Sequence, residues 1–216
     1  MQDLTTVPYD LDDAMLASTR EENIPRVRVY QPPLSVVIGR GGKQHLELDR
    51  EAIADDGVTL FKRPGGGCAV VLDEGNLVVS VGLPLPGISH IKTTFEAVGD
   101  WVIAGLAACG VPGVEQRGVS DLALGEKKIG GSCVYRTRGL FYYSTTLLVD
   151  PDFDLVDRYL PHPPREPEYR AGRAHREFMG SLKAMGLVSD ADGLRDSLQS
   201  YLQGHLSSLP TLDLSL

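Results

Sequence analysis

The chain reads as α+β: a central, mixed but mostly antiparallel β-sheet with helices packed against it. Short runs of β-branched and aromatic residues recur, among them "RVRVY", "SVVIG", "VTLFK" and "LFYYSTTLLV". One long segment, residues 91–109, carries apolar residues at helical spacing instead. Glycine and proline separate the runs at short intervals, which suits a compact mixed fold more than a bundle of long helices.

From the N-terminus, "LDDAMLAST" predicts a short helix, and "RVRVY" alternates as a half-buried strand. After the "QPP" break, "SVVIG" predicts a more buried strand. "ELDREAIADDG" predicts a helix stopping at Gly57, and "VTLFK" a strand. "AVVLD" and "NLVVSVGL" predict two strands, with "DEGN" between them as a hairpin turn. In residues 91–109 the stripe is Phe95, Val98, Val102 and Leu106, ended by Gly110 and Pro112. "SDLAL", "KKIGGSCVY" and "LFYYSTTLLV" predict strands, with a turn at 125–127. "DFDLVDRYL", "AHREFMGSLKAM" and "DGLRDSLQSYLQGHL" predict helices. The proline-rich "PHPPREP" is an extended connector. The segment C-terminal to it is too short for a core of its own, so residues 1–216 read as one domain with a mobile connecting loop at 161–175.

Composition narrows the function. Hydrophobic residues make up 42% of the 216, which is ordinary for a folded protein. The net charge of -8 argues against general nucleic-acid binding, because neutralising phosphates requires surplus Lys and Arg. Cys68, Cys109 and Cys133 form neither a disulfide framework nor a CxxC zinc motif. The N-terminus lacks an apolar signal core, and no apolar run is long enough to span a bilayer. The expectation is a cytoplasmic protein with no nucleic-acid or membrane partner.

Three stretches carry candidate chemistry. In "KRPGGGCAVVLDEGN", residues 62–76, Gly65, Gly66 and Gly67 let backbone N–H groups approach an anion. Lys62 and Arg63 add matching charge, and Arg can grip phosphate or carboxylate through two bonds. A flexible turn with solvated cations explains the same residues if they stand alone. In "SDLALGEKKIGGSC" a lysine among small residues can act as a point charge for a carboxylate or acyl phosphate, or can lie on a surface hairpin. In "VVIGRGGKQHLELD" a buried strand ends in Gly39, Arg40, Gly41 and Gly42. Three loops of this kind suggest one anionic ligand gripped from several sides.

Together, in this order, these stretches resemble the lipoate–protein ligase and octanoyltransferase group, related to biotin–protein ligases. The family's loop pattern is Arg-Arg-x-Ser/Thr-Gly-Gly-Gly/Arg-Ala-Val-x-His-Asp-x-Gly-Asn. Lys62 and Arg63 match its arginines, Gly66 and Gly67 its first two glycines, and Gly75 and Asn76 its closing pair. Gly65 takes the Ser/Thr place and Cys68 the third Gly/Arg place. Asp121, Lys128, Ile129, Gly131 and Ser132 match the family's Asn-Asp-Leu/Ile and Lys-Ile-Ser-Gly-Ser-Ala segments. The similarity runs from about Leu11 to Leu182. Leu72 and Ser144 stand where many members have histidines.

The resemblance implies activation of lipoate or octanoate by ATP and Mg2+ to an acyl-adenylate, then transfer to a lysine of a lipoyl carrier domain. It implies Lys128 as the catalytic lysine at the acyl carbonyl and phosphate, and Arg63 at carboxylate or phosphate. Gly65, Gly66, Gly67, Cys68, Arg40, Gly75, Asn76, Gly131 and Ser132 would bind substrate or ATP. Asp121 would lie near the nucleotide and hold magnesium. Both usual positions of a transferase cysteine are empty here, one near Gly113 and one near His162. Cys68 and Cys133 remain as nonstandard nucleophiles. The basic segment with Arg170, Arg173, His175 and Arg176 would close over the nucleotide, meet an acidic carrier, or simply be a solvated helix start. The 216 residues leave no room for the C-terminal accessory domain of many ligases, so the resemblance leaves two expectations: a separate small accessory subunit, or a compact ligase serving a specialised carrier. A cysteine-dependent acyltransferase and a non-catalytic acyl- or nucleotide-binding relative stay open as alternatives.

Overall fold

The computed structural model describes residues 2–84, 91–137 and 139–209. The ends of the expected 1–216 domain, residue 1 and residues 210–216, lie outside them.

The strands build two sheets. Strands β2 (Arg26–Tyr30), β6 (Asn76–Pro84), β7 (Glu115–Arg117), β8 (Asp121–Leu124), β9 (Lys127–Thr137) and β10 (Leu140–Leu148) form the larger, in the order β2-β6-β10-β9-β8-β7. All its pairings are antiparallel. Strands β1 (Val7–Pro8), β3 (Ser35–Ile38), β4 (Leu60–Lys62) and β5 (Val70–Leu72) form the smaller, in the order β1-β4-β3-β5, and this one is mixed.

Side-chain alternation explains how the layers stack. On β6, Leu77, Val79, Val81 and Leu83 face helix α4 (Ile91–Ala108) and helix α7 (Ala191–Gly204), packing against Val98, Val102, Leu106, Leu194, Leu198 and Leu202. Val78 faces the other way and joins Tyr30, Val37, Phe61 and Leu72 between the two sheets. On β3, Val37 belongs to that inter-sheet core, while Val36 and Ile38 point outward. They pack with helix α3 (Arg50–Asp55) through Ile53 and helix α5 (Phe153–Tyr159) through Val156. The order of layers is therefore helix, sheet, sheet, helix.

Helix α1 (Asp13–Glu22) extends further than the sequence predicts. Its N-cap Asp12 makes no side-chain cap bond. Its buried carboxylate instead accepts from Tyr30 (3.1 Å), Ser80 (2.7 Å) and Tyr142 (2.6 Å), tying the helix to the sheet. Burial is the main cause that raises the Tyr30 and Tyr142 phenols above their ordinary range, and the Asp12 charge adds to it.

Four expectations are corrected. "DEGN" is not a hairpin turn, because β5 and β6 belong to different sheets. Asp73 builds a crossing between them: its carboxylate takes the N–H groups of Gly75 (2.8 Å) and Asp152 (2.8 Å) and the Asn76 side-chain amide (2.6 Å). Residues 47–57 do not form one helix; a short helix α2 (Gln44–Glu47) ends first, and Asp49 caps α3. In "AHREFMGSLKAM" only helix α6 (His175–Phe178) forms, because Met179 then pairs with Lys128 and Gly180 N–H donates to the Lys128 carbonyl (2.8 Å). Strands β1 and β7 are additional to the predicted elements; both are too short to show a period. Among the described residues no helix is long and apolar enough to cross a membrane.

Candidate active site

The glycine loop, residues 63–69, leaves β4 and returns at β5. Its carbonyls are held from inside by one side chain. The Arg63 guanidinium donates to Gly66 O (2.9 and 3.0 Å), Cys68 O (2.7 Å) and Val37 O (3.2 Å). Arg63 is therefore occupied in shaping the loop, where the sequence suggested a ligand contact. With the carbonyls turned inward, the N–H groups of Gly65, Gly66, Gly67 and Cys68 donate to no acceptor among the described residues. Consecutive free N–H groups form an anion-binding concavity.

The "VVIGRGG" turn packs directly on this loop. Arg40 N–H donates to Gly65 O (3.0 Å), and a Cβ on Gly39 would come within 2.3 Å of Gly67 O. Glu47, buried, accepts from Lys43 N (3.0 Å) and Ala69 N (2.8 Å), bracing the turn against the exit of the glycine loop. Across the cleft, a Cβ on Gly65 would stand 3.1 Å from Cys133 Sγ, so the loop rests on β9.

The face of β9 that meets the loop carries the lysine because of a β-bulge. Asp121 pairs with Gly131 and Leu122 with Gly130, but Ala123 pairs with Lys128, which leaves Ile129 as an extra residue. In a regular strand Lys128 and Gly131, three apart, would point to opposite faces. The bulge re-aims Lys128 to the face of Gly131 and Asp121. Its ammonium lies 3.2 Å from where a Gly131 Cβ would be, and 2.6 Å from Asp121 Oδ1. The other Asp121 oxygen accepts from Tyr169 OH (2.9 Å), and Arg117 stacks on the Tyr169 ring at 4.4 Å.

Residues 161–175 pack over this region. Besides Tyr169, the carbonyl of Arg165 lies 3.7 Å from Cys68 Sγ. Arg170 is 4% exposed, beside Glu166 (3.3 Å), with its Nε donating to Arg173 O (2.9 Å) and its Nη2 without a hydrogen-bond partner among the described residues. Burial lowers its pKa, opposed by Glu166 and Asp121. Arg173 donates to the carbonyls of Glu126, Tyr169 and Arg170, and Arg176 pairs with Asp154 and Asp157. The basic segment is thus engaged internally except for Arg170 Nη2.

The structure brings together Arg63, Gly65, Gly66, Gly67, Cys68, Arg40, Asp121, Lys128 and Gly131. It does not bring Ser132, Gly75 or Asn76 to the same face. Ser132 falls on the opposite face of β9 by alternation, its hydroxyl 2.8 Å from Tyr143 OH. Gly75 and Asn76 belong to the Asp73 crossing, where a Gly75 Cβ would lie 1.9 Å from Asp150 O. Lys62 also departs: it lines an outer cavity with Asp3, Thr6 and Lys43. Tyr169 escapes sequence reasoning; an aromatic in a proline-rich connector gives no pattern to find it by. Leu72 is a core residue between the sheets, and Ser144 lies opposite Cys133 and Ser80.

Burial pushes the Cys133 thiol up, with Arg63 opposing, so it is a neutral thiol near pH 7 and a poor nucleophile. Among the described residues no group of three or more His, Cys, Asp or Glu converges on a metal position. Asp121 is one carboxylate with both oxygens engaged, so these residues do not by themselves make a magnesium site.

This arrangement, two sheets with a lysine and a glycine loop at their junction, defines the chain's class. The profile of the lipoyl protein ligase A/B catalytic domain matches residues 5–203, and the chain belongs to that family. A probable lipoate-protein ligase A from Mycoplasma genitalium is 30% identical over 151 residues, covering 69% of this chain and 44% of that protein. The chain spans about half the length of several curated relatives it matches. Lipoate-protein ligase A subunit 1 from Thermoplasma acidophilum is 28% identical over 204 residues, covering 90% of this chain and 77% of that one. Among solved structures, a lipoate-protein ligase A bound with ATP superposes with a TM-score of 0.74 at 26% identity, covering 91% of this chain and 78% of that one. A bi-partite lipoate protein ligase solved with its E2 lipoyl domain, from Thermoplasma acidophilum, gives 0.76 at 24% identity, covering 94% and 82%, and supports the fold.

Proposed function

We propose that this chain is the catalytic domain of an ATP-dependent lipoate–protein ligase. One observation carries the reading: a glycine loop with its carbonyls tied to Arg63 and its N–H groups free lies on the strand whose bulge presents Lys128. That pairing suits an anionic, phosphate-bearing intermediate. The ATP-bound relative, a lipoate-protein ligase A, supports the same substrates.

In the first step a carboxylate oxygen of lipoate or octanoate attacks the α-phosphorus of ATP. A P–O bond forms, the bond to the β-phosphate breaks, and pyrophosphate leaves. Free N–H groups of Gly66, Gly67 and Cys68 receive phosphoryl or acyl oxygens, and Lys128 neutralises charge that develops there. Asp121 and Tyr169 keep the ammonium aimed, and the unpaired Arg170 nitrogen offers a further donor. In the second step the acceptor lysine amine attacks the acyl carbon, the bond to AMP breaks, and the amine loses a proton. Asp121, with both oxygens engaged, would not hold magnesium, which would be carried by the nucleotide phosphates and would supply charge neutralisation there. The acceptor is a lipoyl carrier domain. The relative named as a subunit 1 supports a separate small accessory subunit.

The test is lipoate-dependent exchange of labelled pyrophosphate into ATP. Exchange that requires lipoate supports adenylation; exchange absent with both lipoate and octanoate rejects it.

A further inference from the structure

Lys43 and Lys62, both within the glycine-rich motifs, stand outside the active site. They line a cavity of about 200 Å³ together with Asp3, Thr6 and His45. Both lysines and His45 are exposed. Neither ammonium has an ion-pair or hydrogen-bond partner among the described residues. The one carboxylate that lines the cavity, Asp3, is already paired with Arg50 at 3.2 Å. By contrast, Arg170, Arg173 and Arg176 are all engaged.

Such a cluster is out of character for a chain with a net charge of -8. Its place relates it to the site. Lys62 immediately precedes Arg63, which shapes the glycine loop, and Lys43 is braced to that loop's exit by Glu47. A specific interface covers about 800 Å² on each partner, a disc about 16 Å in radius. A folded domain that delivers a lysine to Lys128 therefore covers neighbouring rim residues as well. Exposed cations bind a small anion weakly, but they steer and orient a large partner of opposite charge.

We propose that Lys43, Lys62 and His45 form a docking patch for the acceptor, contacting carboxylates on the surface of an acidic carrier domain. The proposal rests on the ligase reading for the identity of the partner. The patch gives local attraction where the overall charge of the chain would repel an acidic domain.

The test is calorimetric titration with an unlipoylated, net-acidic E2 lipoyl domain at low and at physiological salt. Lys43→Glu/Lys62→Glu is expected to weaken binding at least about 10-fold and to flatten its salt dependence. Lys43→Arg/Lys62→Arg keeps the charge and is expected to retain affinity. A carrier with glutamates changed to lysine around its acceptor is expected to regain affinity for the reversed variant. Unchanged affinity in the reversed variant, or no binding by the wild type, overturns the proposal. So does a matching loss of ATP affinity, which would assign the patch to nucleotide. Lipoyl-AMP formation is measured separately and is expected to be unaltered in both variants. Its absence in the wild type removes the ligase reading while the binding result still decides the patch.

Discussion

Two turns within fourteen residues use glycine in opposite ways. At Asp73–Asn76 the side chain of Asp73 satisfies the backbone N–H of Gly75, and Asp150 N–H donates to Gly75 O (2.8 Å). No run of free backbone N–H groups results, and glycine is required at position 75 because Asp150 O is so close. At Gly65–Cys68 the polarity is reversed: a cation collects the carbonyls, and the N–H groups remain available. Glycine content does not separate the two. The charge of the side chain that organises each turn does, since a carboxylate consumes donors and a guanidinium consumes acceptors.

This contrast predicts where substitutions act. The largest effect belongs to Lys128→Ala, which removes the cation on the face of β9 that the glycine loop rests on. Adenylate formation should fall by about 10²–10³-fold, as for loss of one transition-state donor, with the melting profile retained. Full activity in a quenched-flow assay would separate Lys128 from the chemistry. Gly39→Ala comes next, because its Cβ would displace Gly67 O. A shift of the cradle on the ångström scale should cost about 10²-fold in turnover, read from steady-state kinetics. At the other turn, Gly75→Ala forces Cβ against Asp150 O. It should cost about 1–3 kcal/mol of stability by urea unfolding and leave KM unchanged in the folded protein. If Gly75→Ala instead raised KM with stability intact, the division between the turns would fail.

The smallest effect is expected at Cys133. Its raised pKa means the thiolate forms only above the ordinary thiol range, so reactivity climbs with pH and is low at pH 7. Cys133→Ser should keep turnover within about 3-fold and leave the pH profile of adenylation unmoved between about pH 6 and 8. Alkylation of Cys133 should be slow at pH 7 and quicken above about pH 9.

Much of the fold is legible in the sequence because β6 and β10 are long runs rich in β-branched and aromatic or apolar residues and α4 has a clear helical stripe. Val98, Val102 and Leu106 are buried as their spacing predicts. The motifs with Arg40, Gly65–Gly67 and Lys128 stand out in the sequence too; the structure packs the Arg40 turn on the glycine loop, rests that loop on β9, and places Lys128 in β9 and not in a loop. What the sequence hides depends on register. The bulge at Ile129 decides which face Lys128 takes, and alternation then sends Ser132 to the other face. No residue type marks that bulge. Arg63 stands out in the sequence but its partners do not, because a motif reports a cation and not whether its donors are spent on its own loop. The arginines after the proline connector look free for the same reason; Arg170 and Arg173 turn on neighbouring groups, while further acceptors lie away in the chain at Glu126, Asp154 and Asp157.

The most direct test of the account is mass spectrometry of the purified protein incubated with ATP, magnesium and lipoate. The predicted result is lipoyl-AMP with pyrophosphate from the wild type, formed about 10²–10³-fold more slowly by Lys128→Ala. An octanoyl thioester on Cys68 or Cys133, formed from an octanoyl carrier without ATP, would contradict it.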